Sequence, residues 1–161
     1  MDSPTTLWLE LSHHAAFRIG GWAYVSRDPD GAVAGLAGGE RRITAERTAL
    51  LALIAGLKDA RRPVQLRTGS QLIAAIPARI AAAQSAVNGA GEDPPSDDLD
   101  LWAQVMTALA AATVDIVKAT PGDRTSGFAA AWAELGRDRA KDRGPFTSAI
   151  PRPNLAKSGA S

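Results

Sequence analysis

The chain has 161 residues and a net charge of only +1, so it lacks the excess of positive charge that a strong non-specific nucleic-acid binder carries. It contains no cysteine, which excludes disulfides and thiolate metal sites and fits a reducing compartment. No apolar run approaches the roughly 18 residues of a membrane span, and we therefore expect a soluble, cytoplasmic protein.

The N-terminal segment predicts an antiparallel meander of three strands. Residues 7–11 alternate apolar and polar side chains, as a half-buried strand does. After a turn at residues 12–21, a second strand is expected at residues 21–26 and a third at residues 32–37. Between the second and third strands, the Asp-Pro-Asp-Gly sequence within residues 27–31 is typical of a hairpin turn.

The stretch from Thr44 to Lys58 predicts a buried amphipathic helix. Apolar side chains recur there at helical spacing, at positions 50, 53, 54 and 57. Thr44 stands where an N-cap is expected, and Lys58 suits the negative pole of the helix. A strand at residues 64–68 follows, and chemistry gathers at the carboxyl ends of such strands in open α/β sheets.

The remaining segments predict helices and one further strand. A helix is expected from Ser70 to about Ala83, with a kink or an early stop near Pro77. Helices at residues 99–112 and 127–142 flank a fifth strand at residues 113–118. This order predicts an α/β fold with a five-stranded mixed sheet, which begins as an antiparallel meander and is flanked by helices.

We expect residues 1–142 to form a single domain. Within it, residues 86–98 have the composition of a mobile, acidic loop. The Pro-containing tail at residues 143–161 is expected to be extended or disordered, so burial of Phe146 or Ile150 would contradict this expectation.

The four tryptophans divide into two groups. Trp22, Trp102 and Trp132 lie at positions where a strand or helix faces the core, and we expect them to be buried anchors. Trp8 shares a strand face with Glu10, and we expect it to border the cleft at Glu10.

Several short motifs occur in the order and spacing of one known family. The chain resembles ribonuclease H type 1 from about Leu7 to Arg139. The motifs that carry this resemblance are Gly20-Gly21-Trp22, Thr44 with Arg47, the LLALIAGL run at 50–57, Thr68 with Ser70-Gln71, Asp100-Leu101-Trp102, and Val117-Lys118. The resemblance implies a ribonuclease-H-like fold.

Members of that family cleave the RNA strand of RNA/DNA hybrids with two divalent ions, Mg²⁺ or Mn²⁺, held by four carboxylates. At the positions that the resemblance implies, this chain has Glu10, Ala49, Gly69 and, near the fourth, Ala133. A single carboxylate cannot offset the mutual repulsion of two such ions. We therefore expect the catalytic set to be lost and no metal or other cofactor to be bound, with Glu10 as the only candidate ligand.

Two other glutamates are alternative ligands. Glu46 lies one helical turn before Ala49, and Glu134 adjoins Ala133, so each could replace a missing carboxylate. The positive pole of its helix is the better explanation of Glu46, and Glu134 points about 100° away from Ala133 around the helix.

The only histidines, His13 and His14, follow Glu10 and could suggest a metal site with it. Adjacent histidines rarely face one ion, and no third ligand is visible, so we expect both in a solvated loop. The family's phosphate-contacting loop is replaced here by a less polar one, which contains Ala15, Ala16, Phe17 and Ile19.

Three nucleic-acid-binding residues of the family carry over: Thr44, Ser70 and Gln71. Each also has a structural explanation, Thr44 as an N-cap and the other two as helix-opening residues. Ala45 and Glu46 replace two asparagines of the family that read the minor groove of the hybrid, and Glu46 would repel a phosphate backbone.

These observations predict a pseudoenzyme, a non-catalytic ribonuclease-H-like domain that acts as a protein-interaction or nucleic-acid-binding module. A protein partner would use residues 145–157 of the tail, and an RNA/DNA hybrid or other nucleic acid would use Thr44 and Gln71. The near-neutral charge favours the protein partner. The alternative is a divalent-metal-dependent endonuclease that cleaves the RNA strand of hybrids with an atypical site.

Overall fold

The computed structural model describes residues 3–87, 97–110 and 113–160 of the chain. It contains a mixed sheet flanked by helices. The strands are β1 (Thr5–His14), β2 (Ile19–Arg27), β3 (Val33–Arg41), β4 (Val64–Thr68), β5 (Val114–Lys118) and β6 (Phe146–Ala149). The helices are α1 (Ala45–Lys58), α2 (Gln71–Val87), α3 (Leu99–Leu109), α4 (Arg124–Arg143) and the single turn α5 (Arg152–Leu155).

The strands lie in the order β5-β4-β1-β2-β3-β6. As predicted, β1, β2 and β3 form an antiparallel meander, while β4 joins β1 in parallel and β5 joins β4 in parallel. The pairing of β1 with β4 ends at Trp8 and Arg67. Strand β1 therefore carries Glu10 beyond the paired region, at the carboxyl end of β4.

The prediction of five strands is wrong, because the tail adds a sixth. Strand β6 pairs antiparallel with Leu36–Gly39 of β3. Without β6, strand β3 would expose a row of unpaired backbone groups at the sheet edge, and pairing with the tail satisfies them. The expectation of an extended or disordered tail is also wrong, because Ile150 is only 3% exposed and Leu155 only 8%.

The end of the tail is fixed to α4 and β2 by side chains that donate to its carbonyl oxygens. Thr125 Oγ1 donates to Ser158 O at 2.9 Å, and Arg124 Nη2 donates to Lys157 O at 3.1 Å. Arg27 Nη1 donates to Ala160 O at 2.9 Å. The tail therefore packs against α4 and β2 and is part of the same domain.

The sheet has a separate core on each face. On one face Leu7 and Leu9 pack under α1, α2 and α3, and on the other Trp8 packs under α4. Trp22 and Trp102 are buried, as expected, and Trp132 is half-buried. The expectation for Trp8 is wrong: it is 3% exposed and lies inside the α4-side core.

Helix α4 approaches the sheet through glycines. A Cβ on Gly21 would collide with the carbonyl oxygen of Ala133, and a Cβ on Gly39 would collide with that of Gly136. Only residues without side chains permit backbones to approach this closely. The contact places the second half of α4 beside the β1–β2 hairpin, where Arg137 Nη1 donates to Ser12 Oγ at 2.9 Å.

On the other face, the observed bounds of α1 and α2 can be compared with the predicted ones. Helix α1 begins as predicted, because Thr44 Oγ1 accepts a hydrogen bond from Arg47 N at 3.0 Å. Helix α2 runs through Pro77 to Val87, so the early stop near Pro77 does not occur. A proline removes one helical hydrogen bond, and the burial of Ile73 holds this helix against the core.

Most of the predicted mobile loop, residues 88–96, lies outside the described residues. Its last residue, Asp98, is well packed, because its carboxylate accepts from Arg47 Nη1 at 3.0 Å and its side chain is 15% exposed. Arg47 also pairs with Asp100 at 3.2 Å, and this hydrogen bond lowers the pKa of Asp100. Arg47 thus holds α1 to the start of α3.

Candidate functional site

Glu10 and Gly69 lie side by side at the carboxyl end of β4. Strand β1 extends past β4 and presents Glu10 there, and Gly69 directly follows the last residue of β4. A Cβ on Gly69 would lie 3.1 Å from Glu10 Oε2. The structure confirms the prediction that these two positions share a cleft.

The polypeptide itself occupies one oxygen of the Glu10 carboxylate. Gly69 N donates to Glu10 Oε1 at 2.5 Å, and Thr68 Oγ1 donates to the same oxygen at 3.1 Å. Thr68 Oγ1 in turn accepts from Ser70 N at 3.0 Å, and Ser70 Oγ accepts from Ile73 N at 3.3 Å. Glu10 therefore joins a chain of hydrogen bonds that satisfies the backbone at the start of α2.

Burial dominates the electrostatics of Glu10, which is 9% exposed. Desolvation of the charged form raises the pKa of Glu10 above its ordinary value. The hydrogen bonds from Gly69 and Thr68 act in the opposite direction, and the charge of Asp123 raises the pKa further. The site thus favours the neutral acid more than water does.

The residues at this cleft do not fit a pair of divalent ions. Two such ions need several anionic oxygens, and Glu10 offers one carboxylate with one oxygen already hydrogen-bonded. Within residues 3–87, 97–110 and 113–160, no three His, Asp or Glu side chains are grouped so that they could hold a metal ion.

The other positions of the implied carboxylate set lie in packed surroundings. Ala49 is 2% exposed and belongs to the core under α1. Ala133 is fully buried on α4, where its backbone meets Gly21 of β2. Neither position presents a polar side chain to Glu10.

Sequence reasoning missed Asp123, the carboxylate whose charge acts on Glu10. Asp123 is the N-cap of α4, and its Oδ1 accepts from Ser126 N at 3.0 Å, so α4 begins earlier than the predicted Gly127. An aspartate directly before a helical segment is a visible N-cap signal. Its closeness to Glu10 depends on how α4 crosses the sheet, which the local sequence does not encode.

The alternative glutamates have other surroundings. Glu46 pairs with Arg79 of α2 at 2.7 Å, and the Arg79 guanidinium lies over the Trp102 ring at 4.8 Å. Glu134 is exposed on α4. Glu46 therefore links α1 to α2, and neither glutamate lines the cleft at Glu10.

The histidines belong to no group of three possible metal ligands among the described residues. His13 Nε2 lies 2.8 Å from the carbonyl oxygen of Ile43, which can only accept, so this nitrogen carries the proton. His14 stacks on Phe17 with ring centroids 4.8 Å apart, at the exposed tip of the β1–β2 hairpin.

The cleft at Glu10 has a volume of about 320 Å³. The residues that line it are Glu10, Leu11, His13, Ala45, Gly69, Ser70, Gln71 and Leu72. Two of the predicted nucleic-acid-binding residues, Ser70 and Gln71, are thus brought together with Glu10. The third, Thr44, is exposed beside Ala45, but its hydroxyl already caps α1.

This chain is similar to known proteins in its three-dimensional structure, but no similar sequence was found. No protein-family model matches the chain, and no curated protein sequence is significantly similar to it. Solved structures that resemble it include LC9-RNase H1, described as a type 1 RNase H with the type 2 active-site motif. That match has a TM-score of 0.68 and 15% identity over 99% of this chain and 82% of the other. The chain has a ribonuclease-H-like fold.

Two further matches support the ribonuclease-H-like fold. The N-terminal RNase H domain of rv2228c from Mycobacterium tuberculosis, solved as a fusion with maltose-binding protein, has a TM-score of 0.60 and 19% identity over 86% of this chain and 96% of that one. The foamy viral protease-reverse transcriptase, solved in complex with an RNA/DNA hybrid, has a TM-score of 0.66 and 14% identity over 84% of this chain and 20% of its own. These TM-scores establish the fold. Identities below 20% do not establish an activity, which has to be argued from the residues of the site.

The helices of this ribonuclease-H-like domain are short or contain charged residues. Among the described residues, no helix is long and apolar enough to cross a membrane.

Proposed function

We propose that this protein is a non-catalytic ribonuclease-H-like domain that binds nucleic acid. One observation carries the proposal: the single remaining carboxylate of the implied catalytic set, Glu10, accepts hydrogen bonds from Gly69 and Thr68 and serves the start of α2. A carboxylate held in this way, without two further acidic neighbours in the described chain, supports a structural role for Glu10.

The tail gives little support to a protein partner. Residues 145–157 were the predicted contact segment, but β6 pairs with β3 and Ile150 and Leu155 are buried. A partner that used these side chains would first have to displace them from the domain, at the cost of the apolar burial they contribute.

Nucleic acid is favoured by two observations. The foamy viral enzyme, which shares the fold, was solved with an RNA/DNA hybrid. In this chain several exposed arginines lie on the β1–β2 hairpin and on the segment before α1, although the net charge is close to zero. A local concentration of positive charge can bind phosphates even where the whole molecule is neutral.

Binding to labelled nucleic acids at low salt tests the proposal. Fluorescence anisotropy with RNA/DNA hybrid, DNA duplex and single-stranded probes should show binding that weakens steeply as salt increases, because phosphate contacts release counterions. The probes should remain intact on denaturing gels in Mg²⁺ or Mn²⁺. Absence of binding to all probes would refute nucleic-acid binding, and cleavage that depends on Glu10 would favour the endonuclease alternative.

A further inference from the structure

The tip of the β1–β2 hairpin presents an exposed pair of stacked rings. Phe17 is 60% exposed, a high value for a large apolar side chain. His14 stacks on it with centroids 4.8 Å apart and an angle of 19° between the ring planes. Lys141 of α4 places its Nζ 4.7 Å from the centroid of the Phe17 ring. The Phe17 ring therefore lies between the Lys141 ammonium and the His14 ring, and His14 is itself exposed.

Basic side chains surround this pair. They come from the hairpin, from the loop before α1 and from the last turns of α4, and they are Arg18, Arg41, Arg42, Arg137 and Lys141. These segments are in contact: Ile43 N donates to Arg18 O at 3.0 Å, and a Cβ on Gly144 would lie 3.3 Å from Arg41 Nη2. Three parts of the chain that are distant in sequence therefore bring positive charge to one surface.

Acidic residues on the same surface are fewer. Glu40 lies at the end of β3, and Asp138 and Asp142 lie on α4. Asp138 is paired with Arg137 at 3.1 Å, so its charge is locally balanced. The surface around the stacked rings keeps a positive excess in a chain that is nearly neutral as a whole.

Two of the arginines occupy unfavourable backbone conformations. Arg18 has φ of 53° and Arg42 has φ of 56°, in the left-handed region that favours glycine and asparagine. Both stand at the turns next to the stacked rings. The turns hold these conformations, because Arg18 N donates to Ala15 O at 3.2 Å and Arg18 O accepts from Ile43 N at 3.0 Å.

We propose that this surface, formed by His14, Phe17 and the basic side chains around them, binds single-stranded nucleic acid. A base stacks on the His14 ring, which Phe17 supports from behind, and Arg18, Arg42 and Lys141 contact the neighbouring phosphates. Bases in a duplex are already stacked on one another, whereas an unpaired base offers both faces to an aromatic side chain. The inference rests on the proposed function and adds to it the surface and the class of nucleic acid.

Fluorescence anisotropy with labelled oligo(dT) and oligo(U) probes, compared with blunt DNA duplex and RNA/DNA hybrid, tests the inference in the full-length protein. Phe17→Leu keeps an apolar side chain and removes the aromatic ring, and Phe17→Tyr restores a ring. The matched control is Leu135→Ala, which truncates a side chain that is 44% exposed elsewhere on α4. Circular dichroism establishes that each variant is folded.

Phe17→Leu removes the ring that supports His14 and should weaken binding of the single strands by about tenfold, because stacking of a base on an aromatic ring contributes that much. Phe17→Tyr and Leu135→Ala should bind as the wild type does. Lys141→Ala should reduce the slope of log affinity against log salt by about 0.7, the value for one phosphate contact on a single strand. Lys157→Ala, which removes an exposed lysine from the tail, should leave this slope unchanged.

The outcomes separate this inference from the proposed function. If the protein binds nucleic acid but Phe17→Leu and Lys141→Ala bind as the wild type does, the surface assignment is overturned and the proposed function stands. Preference for the blunt duplex over both single strands would also overturn the assignment. If no probe binds at low salt, both proposals fail.

Discussion

The cleft at Glu10 and the surface at the hairpin tip are both reached from strand β1, yet they are built in opposite ways. In the cleft, the one acidic group is buried and hydrogen-bonded to Gly69 and Thr68. At the tip, the rings of His14 and Phe17 and the nearby basic side chains are exposed. Polar groups that are already satisfied within the protein have little left for a ligand, whereas exposed ones remain available. The difference supports the proposal that recognition takes place at the hairpin tip rather than in the cleft at Glu10.

Adding carboxylates to the cleft, which gives the refilled variant, should produce the largest effect, a gain of divalent-metal binding. The variant Glu10→Asp with Gly69→Asp places two carboxylates side by side in the cleft, and Asp123 adds a third charge near them. Shortening residue 10 makes room for the new side chain at Gly69, whose Cβ would lie 3.1 Å from Glu10 Oε2. We expect Mg²⁺ or Mn²⁺ binding at millimolar affinity, about 4 kcal/mol, by isothermal calorimetry.

Two controls accompany the refilled cleft. The parent protein should bind no divalent ion in this range, because a single buried carboxylate does not offset the charge of the ion. Adding Asp123→Asn to the refilled variant should weaken metal binding. Equal binding by the parent protein would show that the cleft already holds a ligand set.

The glycine contact below the hairpin should give the next largest effect. Gly21→Ala places a methyl group against the backbone of α4 at Ala133, where neither backbone can move without separating helix from sheet. We expect a loss of about 3 kcal/mol in the free energy of unfolding, measured by urea denaturation. Gly127→Ala on the same helix meets nothing within 4 Å and should be neutral or stabilising. Similar stability of Gly21→Ala and wild type would mean that α4 does not pack at this point.

A single substitution in the tail should reduce the free energy of unfolding somewhat less than Gly21→Ala does. Ile150→Ala removes a buried side chain that packs against β3 near Gly35. We expect a loss of about 2 kcal/mol, because the site lies at the sheet edge and can partly collapse. Leu135→Ala, with its exposed side chain, should change stability by less than about 0.5 kcal/mol. An unchanged midpoint for Ile150→Ala would restore the view of the tail as an unpacked segment.

Glu10→Gln should give the smallest effect and a distinct dependence on pH. Burial raises the pKa of Glu10 in the folded protein above its ordinary value of 4.5, so the folded state binds the proton more tightly than the unfolded chain. Wild-type stability therefore decreases as pH rises from the unfolded value through the folded one, because the buried carboxylate then carries its charge. Glutamine has no such titration and keeps an oxygen that can accept from Gly69.

The variant should match the wild type in acid and become the more stable protein toward neutral pH, by less than about 1 kcal/mol. Thermal denaturation of both proteins at several pH values measures this difference. If Glu10→Gln lost stability relative to the wild type as pH rose, the charged carboxylate would be favourable in the fold, which is the behaviour of a paired or metal-ready acid.

Much of the fold could be predicted because its signals are local. The alternation in β1 and the helical spacing in α1 are visible in short windows, and the parallel crossover from β1 to β4 places Gly69 near Glu10. Strand β6 could not be predicted, because it has only four residues, is flanked by prolines and exists through pairing with β3.

The surroundings of the site were less predictable for a related reason. The sequence shows that the hairpin loop is less polar than the family's phosphate-contacting loop. It does not show that His14 stacks on Phe17, because this contact depends on the turn geometry. Asp123 carries a local N-cap signal, but its effect on Glu10 depends on the path of α4 over the sheet. The second feature depends on a contact between distant segments, and a single sequence does not specify such contacts directly.

Cleavage of an RNA/DNA hybrid with a labelled RNA strand is the most direct test of the central claim, that the cleft is non-catalytic. Purified wild-type protein, incubated with Mg²⁺ or Mn²⁺, should leave the RNA strand intact to the same extent as Glu10→Gln prepared in parallel. Preparing both proteins alike separates the domain from contaminating nucleases. Cleavage by the wild type that disappears in Glu10→Gln would contradict the account, because Glu10 would then act as a ligand or base in the cleft.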